Sequence, residues 1–307
     1  MIVGRLRRGT RLVAVLLAAA ALATGCAQVR SWTGQTPAPP PPVAAPPPVV
    51  TTPPPTTTTT PTPPPSRAQD AVDATGPAAQ ERDDVTLGVA VLDRTTGTTT
   101  VNDAGDTPLR AASVAKLFTI VDILTRREAG QIQTSGGDEQ RFRRALSLSD
   151  DSAMNALWSS YGGPEGIRRV SALLGISETS PPDDTSQWGE VETSARDVAT
   201  LYSFVLTRLT DADRDFVLQS LEAAAPTAAD GFDQAFGLLD PSRRGTAAAK
   251  QGWLCCLQSS IDLHSTGLPD ASGRYVVVLL SNQPRGYDAA KSLLDDAAAA
   301  ARDALSA

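Results

Sequence analysis

Residues 109–124, "LRAASVAKLFTIVDIL", set Ser113 and Lys116 three positions apart at the start of an apolar-periodic run. A serine there suits a helix N-cap, because its oxygen accepts an orphan N–H of the first turn. The same spacing also puts an amine one helical turn from a hydroxyl, on the same face and within reach of it. Lysine usage favours the second reading. The 307 residues contain three lysines (Lys116, Lys250 and Lys291) against 24 arginines. A solvated surface cation can be arginine. A proton acceptor cannot, since guanidinium does not deprotonate, whereas a desolvated lysine amine can be lowered into range. The positive end of a helix at Ser113 would also favour negative charge developing there.

Two later clusters carry the same ambiguity. In "ALSLSDDSAMNALW" (residues 145–158), Ser149, Asp150 and Asp151 stand at a loop-to-helix boundary, with Asn155 after them. A capped helix with acids in its first turn explains these without any chemistry. Lys250, Gln251 and Gly252, followed by Trp253, fall late in the chain on a strand pattern, where a surface lysine is unremarkable in itself.

The elements around these clusters are legible. Residues 67–80 read as a short helix interrupted at Gly76-Pro77. Residues 85–102 read as a hairpin, with apolar alternation through Val85, Leu87, Val89 and Val91 and a turn at 94–97. Gly130 stops the helix that follows Ser113. Helical patterns run through 139–158, 164–174, 195–209 and 212–223. Strand patterns return at 246–254, 260–266 and 273–283, and residues 287–306 close as a helix. The order hairpin, helical block, strands, helix predicts an α+β fold. One antiparallel sheet is flanked by helices, a mostly helical second lobe packs beside it, and the ligand site lies between.

The N-terminus reads as an export segment. Arg5, Arg7, Arg8 and Arg11 precede an apolar run at 12–22, too short to span a bilayer, and Ala23-Thr24-Gly25-Cys26 resembles a lipobox, with Ala23 where Leu is commoner. The expected division is a lipoprotein signal at 1–25, a lipidated Cys26 that anchors the chain to the membrane outside the cytoplasm, a spacer to 65, and a domain at 66–307. Residues 36–65 contain only Pro, Thr, Ala and Val, including fifteen of the 24 prolines. Such a segment buries no core and favours polyproline II, reaching on the order of 90 Å at about 3.1 Å per residue. The formal net charge of −7 becomes about −11 once the four arginines leave with the signal. That balance speaks against nucleic acid and against a basic membrane patch as partners. The domain reads as a monomer.

Taken in order, S-x-x-K at Ser113 and Lys116, S-D-D at 149–151 and K-Q-G at 250–252 resemble the S-x-x-K, S-D-N and K-T-G series of class A β-lactamases and penicillin-binding serine enzymes. "VAVLDRTTG", "MNALWSSYGGPEGI" and "ETSARDVATLYSFVL" resemble that superfamily's opening hairpin and helices, so the likeness covers most of residues 70–305. The lipobox, Pro/Thr spacer and "KQGW" resemble the alanine-rich LppW-like lipoproteins within it. The resemblance implies a β-lactamase/transpeptidase-like fold with no cofactor. It implies Ser113 as acylated nucleophile, Lys116 as its base, Ser149 as proton relay and Lys250 as the positive charge beside them. Asp151, Gln251, Gly252 and Trp253 would border the substrate, and the N–H groups of Ser113 and of the strand just after Gly252 would form the oxyanion hole. Peptidoglycan peptides or a small acyl compound are the implied substrates.

Three departures bear on function. An ionised Asp151 accepts hydrogen bonds but cannot donate one as Asn does. Gln251 replaces a hydroxyl that holds substrate carboxylate, and its length suggests that it partly fills the cleft. Residues 175–193 lack the E-x-x-L-N pattern whose glutamate activates the deacylating water, and Glu178, Glu190 and Glu192 fit no such pattern. Efficient β-lactam turnover is therefore not expected. The alternative to a serine hydrolase is a scaffold or binding protein with a degenerate cleft. One histidine, His264, reads as structural, and one His with three Cys cannot build a zinc site. Cys255 and Cys256 read as two buried thiols, with a vicinal disulfide as the alternative in an oxidising compartment.

Overall fold

A computed structural model describes residues 66–307 apart from 81, 83, 243 and 285, and apart from the side chain of residue 258. The expected signal segment, Cys26 and the spacer lie outside the described residues. Helix α1 (Ala68–Gln80) passes through Gly76-Pro77 without the expected break. Proline removes one intrahelical bond, and the buried face of Ala68, Ala71, Val72 and Thr75 holds the helix together across that loss. The hairpin β1 (Thr86–Asp93) and β2 (Thr98–Val101) follows, turning at 94–97 with Gly97 at φ +71°.

The short strand β3 (Leu109–Arg110) leads through a 3₁₀ turn at Ala112–Val114 into α2 (Ala115–Glu128). Every residue of α2 from Ala115 to Leu124 is buried. Its apolar side chains place it inside the protein, and each fully buried Leu, Ile or Phe there contributes about 1.5–3 kcal/mol. Around α2 stand α3 (Gly136–Ser147), α4 (Asp151–Tyr161), α5 (Gly163–Leu174), α6 (Ala195–Thr207) and α7 (Asp211–Glu222). The single helical pattern read at 139–158 is two helices. Ser149 sits between them at φ +52°, a conformation that breaks a helix. Between α5 and α6, β4 (Glu192–Thr193) pairs with β3 and ties the 175–193 segment to the approach to Ser113.

The chain then returns through β5 (Ala248–Cys255), β6 (Ile261–Leu268) and β7 (Tyr275–Gln283) and ends in α8 (Tyr287–Ser306). These strands join the opening hairpin in one antiparallel sheet of order β2-β1-β7-β6-β5, as the element order predicts. Side-chain alternation gives the sheet a separate core on each face. Val89, Val91, Val277 and Leu279 pack with α1 and α8. Ala90, Leu92, Val276, Val278 and Leu280 pack with α2, α6 and the rest of the helical lobe. Strand β5 is an edge, so alternate backbone N–H groups of it point off the sheet. That edge lies against the Ser113 turn. A Cβ on Gly252 would stand 3.1 Å from Ala111 O and 3.0 Å from His264 Cδ2, so glycine permits the approach.

Candidate active site

The hydroxyl of Ser113 does not cap α2, whose first turn has no side-chain cap. Lys116 Nζ lies 2.6 Å from Ser113 Oγ instead. The preceding residue, Ala112, holds φ +47°, a strained conformation for a residue with a side chain. With Ser149, it is one of four non-glycine residues at positive φ among those described, and both border this cluster.

Lys116 is fully buried, and its amine meets three firm partners: Ser113 Oγ, the Ser149 carbonyl at 2.8 Å and Asp151 Oδ1 at 2.7 Å. Two of these can only accept. A neutral amine has two N–H bonds and one lone pair. With its protons held by the carbonyl and the carboxylate, the lone pair is left facing the Ser113 hydroxyl. Burial lowers the Lys116 pKa from 10.5 to about 8, against the opposing pull of Asp151. The ring of Trp188 lies 4.5 Å from the amine and covers it.

Ser149 is reached from two sides. Lys250 Nζ lies 2.8 Å from its Oγ and Lys116 Nζ 3.2 Å. Lys250 also donates to the Gln251 carbonyl at 2.7 Å. Burial, and then the charge of Lys116, push the Lys250 pKa well down. The four residues therefore form one chain of contacts: Ser113, Lys116, Ser149, Lys250. Asp150 has a structural task. It is the N-cap of α4, accepting from Ala153 N at 3.1 Å and from Arg144 Nε at 2.6 Å. Burial would raise its carboxyl, but these donors outweigh it and hold the carboxyl below its ordinary value.

A cleft of about 340 Å³ opens over Ser113. Asp151, Asn155, Trp188 and Trp253 are on its walls, and Lys116 and Lys250 lie beneath, at 0% and 1% exposure. Gln251 is not on the walls. Strand alternation turns it to the opposite face of β5, where it is buried and its Nε2 donates to the carbonyl of Phe236. The expectation that it partly fills the cleft does not hold. Gly252 sits under the Ser113 turn and Trp253 on the rim, its indole stacked on Phe232 at 4.5 Å and donating to Asp230 Oδ2 at 3.1 Å.

None of Glu178, Glu190 and Glu192 lines this cleft. Trp188 from the 175–193 segment stands there, its Nε1 donating to Asn155 Oδ1 at 2.7 Å. Sequence reading gave Trp188 no part. Its signal was a large apolar residue in a loop otherwise rich in Pro, Asp and Ser. His264 is fully buried; Nδ1 accepts from Ser281 N at 3.3 Å, so the proton on Nε2 goes to the Arg110 carbonyl at 2.7 Å. Burial lowers its pKa, and it braces β6 against the strand leading to Ser113. Cys255 and Cys256 are exposed at the end of β5, not buried thiols, and their sulfurs lie side by side. Among the described residues no His, Cys, Asp and Glu gather into a metal-binding group.

This arrangement of sheet, buried helix and serine–lysine cluster defines the β-lactamase/transpeptidase-like fold, and solved structures agree. A β-lactamase from Chitinophaga pinensis superimposes with a TM-score of 0.61 at 14% identity, covering 76% of this chain and 98% of that one. The structure of PBP-A gives 0.62 at 17% identity, covering 78% and 96%. The chain belongs to the LppW family: it is 36% identical over 216 residues to the protein named "Putative lipoprotein LppW" of Mycobacterium tuberculosis, covering 69% of this chain and 68% of that protein. The protein of the same name from Mycobacterium bovis matches to the same extent. No protein-family model matches the chain.

Proposed function

We propose that this protein is a serine acyl-hydrolase or acyltransferase of the cell envelope, exported and held at the membrane by lipid on Cys26. The spacer at 26–65 sets the domain at 66–307 away from the bilayer. The observation that carries the chemical reading is Lys116 Nζ at 2.6 Å from Ser113 Oγ, with two acceptors left for its own protons. Ser113 Oγ attacks an acyl carbonyl while its proton passes to Lys116. The tetrahedral oxyanion is met by the Ser113 N–H and an N–H of β5 just after Gly252. Ser149, between the two lysines, passes a proton to the leaving group. The C–N or C–O bond then breaks and an ester on Ser113 remains. Small acyl compounds, and peptidoglycan peptides whose acyl group has no neighbouring carboxylate, fit this chemistry, and lipidation agrees with the name of the mycobacterial relatives.

A scaffold reading draws support from one feature. Trp188 lies over the base where a deacylating carboxylate and water would be needed. Labelling with a fluorophosphonate and a fluorescent penicillin separates the two. Labelling by either probe that disappears in Ser113→Ala supports the enzyme. Absence of labelling by both supports the scaffold. Radioactive fatty acid tests the anchor, with incorporation expected in the wild type and lost in Cys26→Ala.

A further inference from the structure

Asp151 is the one charged residue among the described residues that line the cleft over Ser113, and its side chain is 57% exposed. We propose that the cleft accepts neutral or cationic acyl donors and rejects donors that carry a carboxylate close to the acyl group. The proposal builds on the reading of Ser113 as nucleophile.

The positive charge that could hold a carboxylate is below the surface and already engaged. Lys116 is committed to Asp151, the Ser149 carbonyl and Ser113. Lys250 is committed to Ser149 Oγ and the Gln251 carbonyl. Gln251 offers its amide to the far side of β5. Asp230 adds a second carboxylate at the rim, on the indole N–H of Trp253. A carboxylate entering here would lose its hydration, face Asp151 and find no engaged cation free to take it. The indoles of Trp188 and Trp253 offer π surface, which accommodates apolar or cationic groups. Asn155 and Ser186 supply neutral polar groups on the same walls.

Matched probes test this on the full-length protein. Acylation of Ser113 is followed by intact mass with p-nitrophenyl butyrate and mono-p-nitrophenyl succinate, which differ mainly by the terminal carboxylate. Butyrate should acylate at least about tenfold faster, as expected for like-charge juxtaposition. Asp151→Asn should close most of that gap; the ratio of the two rates cancels any effect of the substitution on Lys116 itself. Equal rates, faster succinate, or a ratio unchanged in Asp151→Asn overturns the proposal. A binding measurement stands apart from the chemistry. Tryptophan fluorescence of Ser113→Ala is titrated with butyramide and with succinamate. Tighter butyramide supports the selectivity, even if neither ester acylates the wild type and the nucleophile reading falls. Equal binding, tighter succinamate or no response to either overturns it.

Discussion

Lys116 Nζ and Asp151 Oδ1 stand 2.7 Å apart, one group fully buried and the other open to the cleft. The carboxylate works against the burial that lowers the lysine, and the balance leaves Lys116 at about 8. A base acts only when neutral, so acylation of Ser113 should rise with pH through about 8. Asp151→Asn removes a partner that favours the ammonium form, so the midpoint should move to lower pH. Labelling rates from pH 6 to 10 give the midpoint directly. An unmoved or raised midpoint in the variant would mean that the carboxylate does not set the protonation of this lysine.

Trp188 should act in the opposite direction. Its ring lies 4.5 Å from Lys116 Nζ and shields it from water. Desolvation is the largest cause of the lowered pKa. Trp188→Ala opens the amine to solvent, so the midpoint should rise toward the ordinary lysine range. Opposite shifts in Trp188→Ala and Asp151→Asn would separate burial from charge. A fall in both variants would contradict the role of the ring.

Holding an ammonium inside the helical lobe costs stability. Lowering Lys116 from 10.5 to about 8 corresponds to roughly 3 kcal/mol in the charged form. Between those two values the unfolded chain binds more protons than the folded one, so this contribution to stability improves as pH rises through the window. Lys116→Met keeps similar volume without the charge. It should be more stable than wild type by about 1–3 kcal/mol at pH 7, with the difference shrinking toward pH 10. Urea unfolding at several pH values reads both. A variant less stable at pH 7, or a constant difference, would show that the hydrogen bonds of the amine outweigh its desolvation.

Glycine at position 252 keeps β5 close to the Ser113 turn. A Cβ there would meet Ala111 O at 3.1 Å and His264 Cδ2 at 3.0 Å. The first contact is backbone adjoining the strained Ala112 and, one residue on, Ser113, so relief of the clash moves Ser113. Gly252→Ala should lower stability by only about 1 kcal/mol while slowing Ser113 labelling about a hundredfold. Full labelling with intact stability would mean that the turn tolerates the displacement.

The periodicity of the chain carried the single antiparallel sheet shared by the opening hairpin and the closing strands, and the helix after Ser113, because both follow from local apolar pattern and element order. Ser113, Lys116, Ser149 and Lys250 were legible for a chemical reason: lysine is scarce here and three clusters fall in a known order. The side of a strand on which Gln251 points depends on register, and register depends on distant pairing, here Gln251 with Ser265. Length alone suggested a side chain in the cleft, and pairing placed it behind. The break at Ser149 was hidden because positive φ leaves no mark in apolar spacing. Trp188 was hidden because a loop has no period from which to predict a contact.

The fate of an acylated Ser113 follows from the same loop. Deacylation needs a water and a group to take its proton within hydrogen-bond reach. The cleft offers Asp151 as its one carboxylate among the described residues, and that group is paired with Lys116. Trp188 covers the approach to the lysine. A neutral activated ester should therefore release one equivalent of leaving group per protein in a burst, followed by turnover slower by a factor on the order of a thousand, within the range that a missing general base removes. Intact mass should hold a single acyl adduct on Ser113 through the slow phase, and added hydroxylamine should clear it. Steady release without a burst, with unmodified protein throughout, would show that a base for water exists in this cleft and that the 175–193 segment has replaced the missing glutamate by other means.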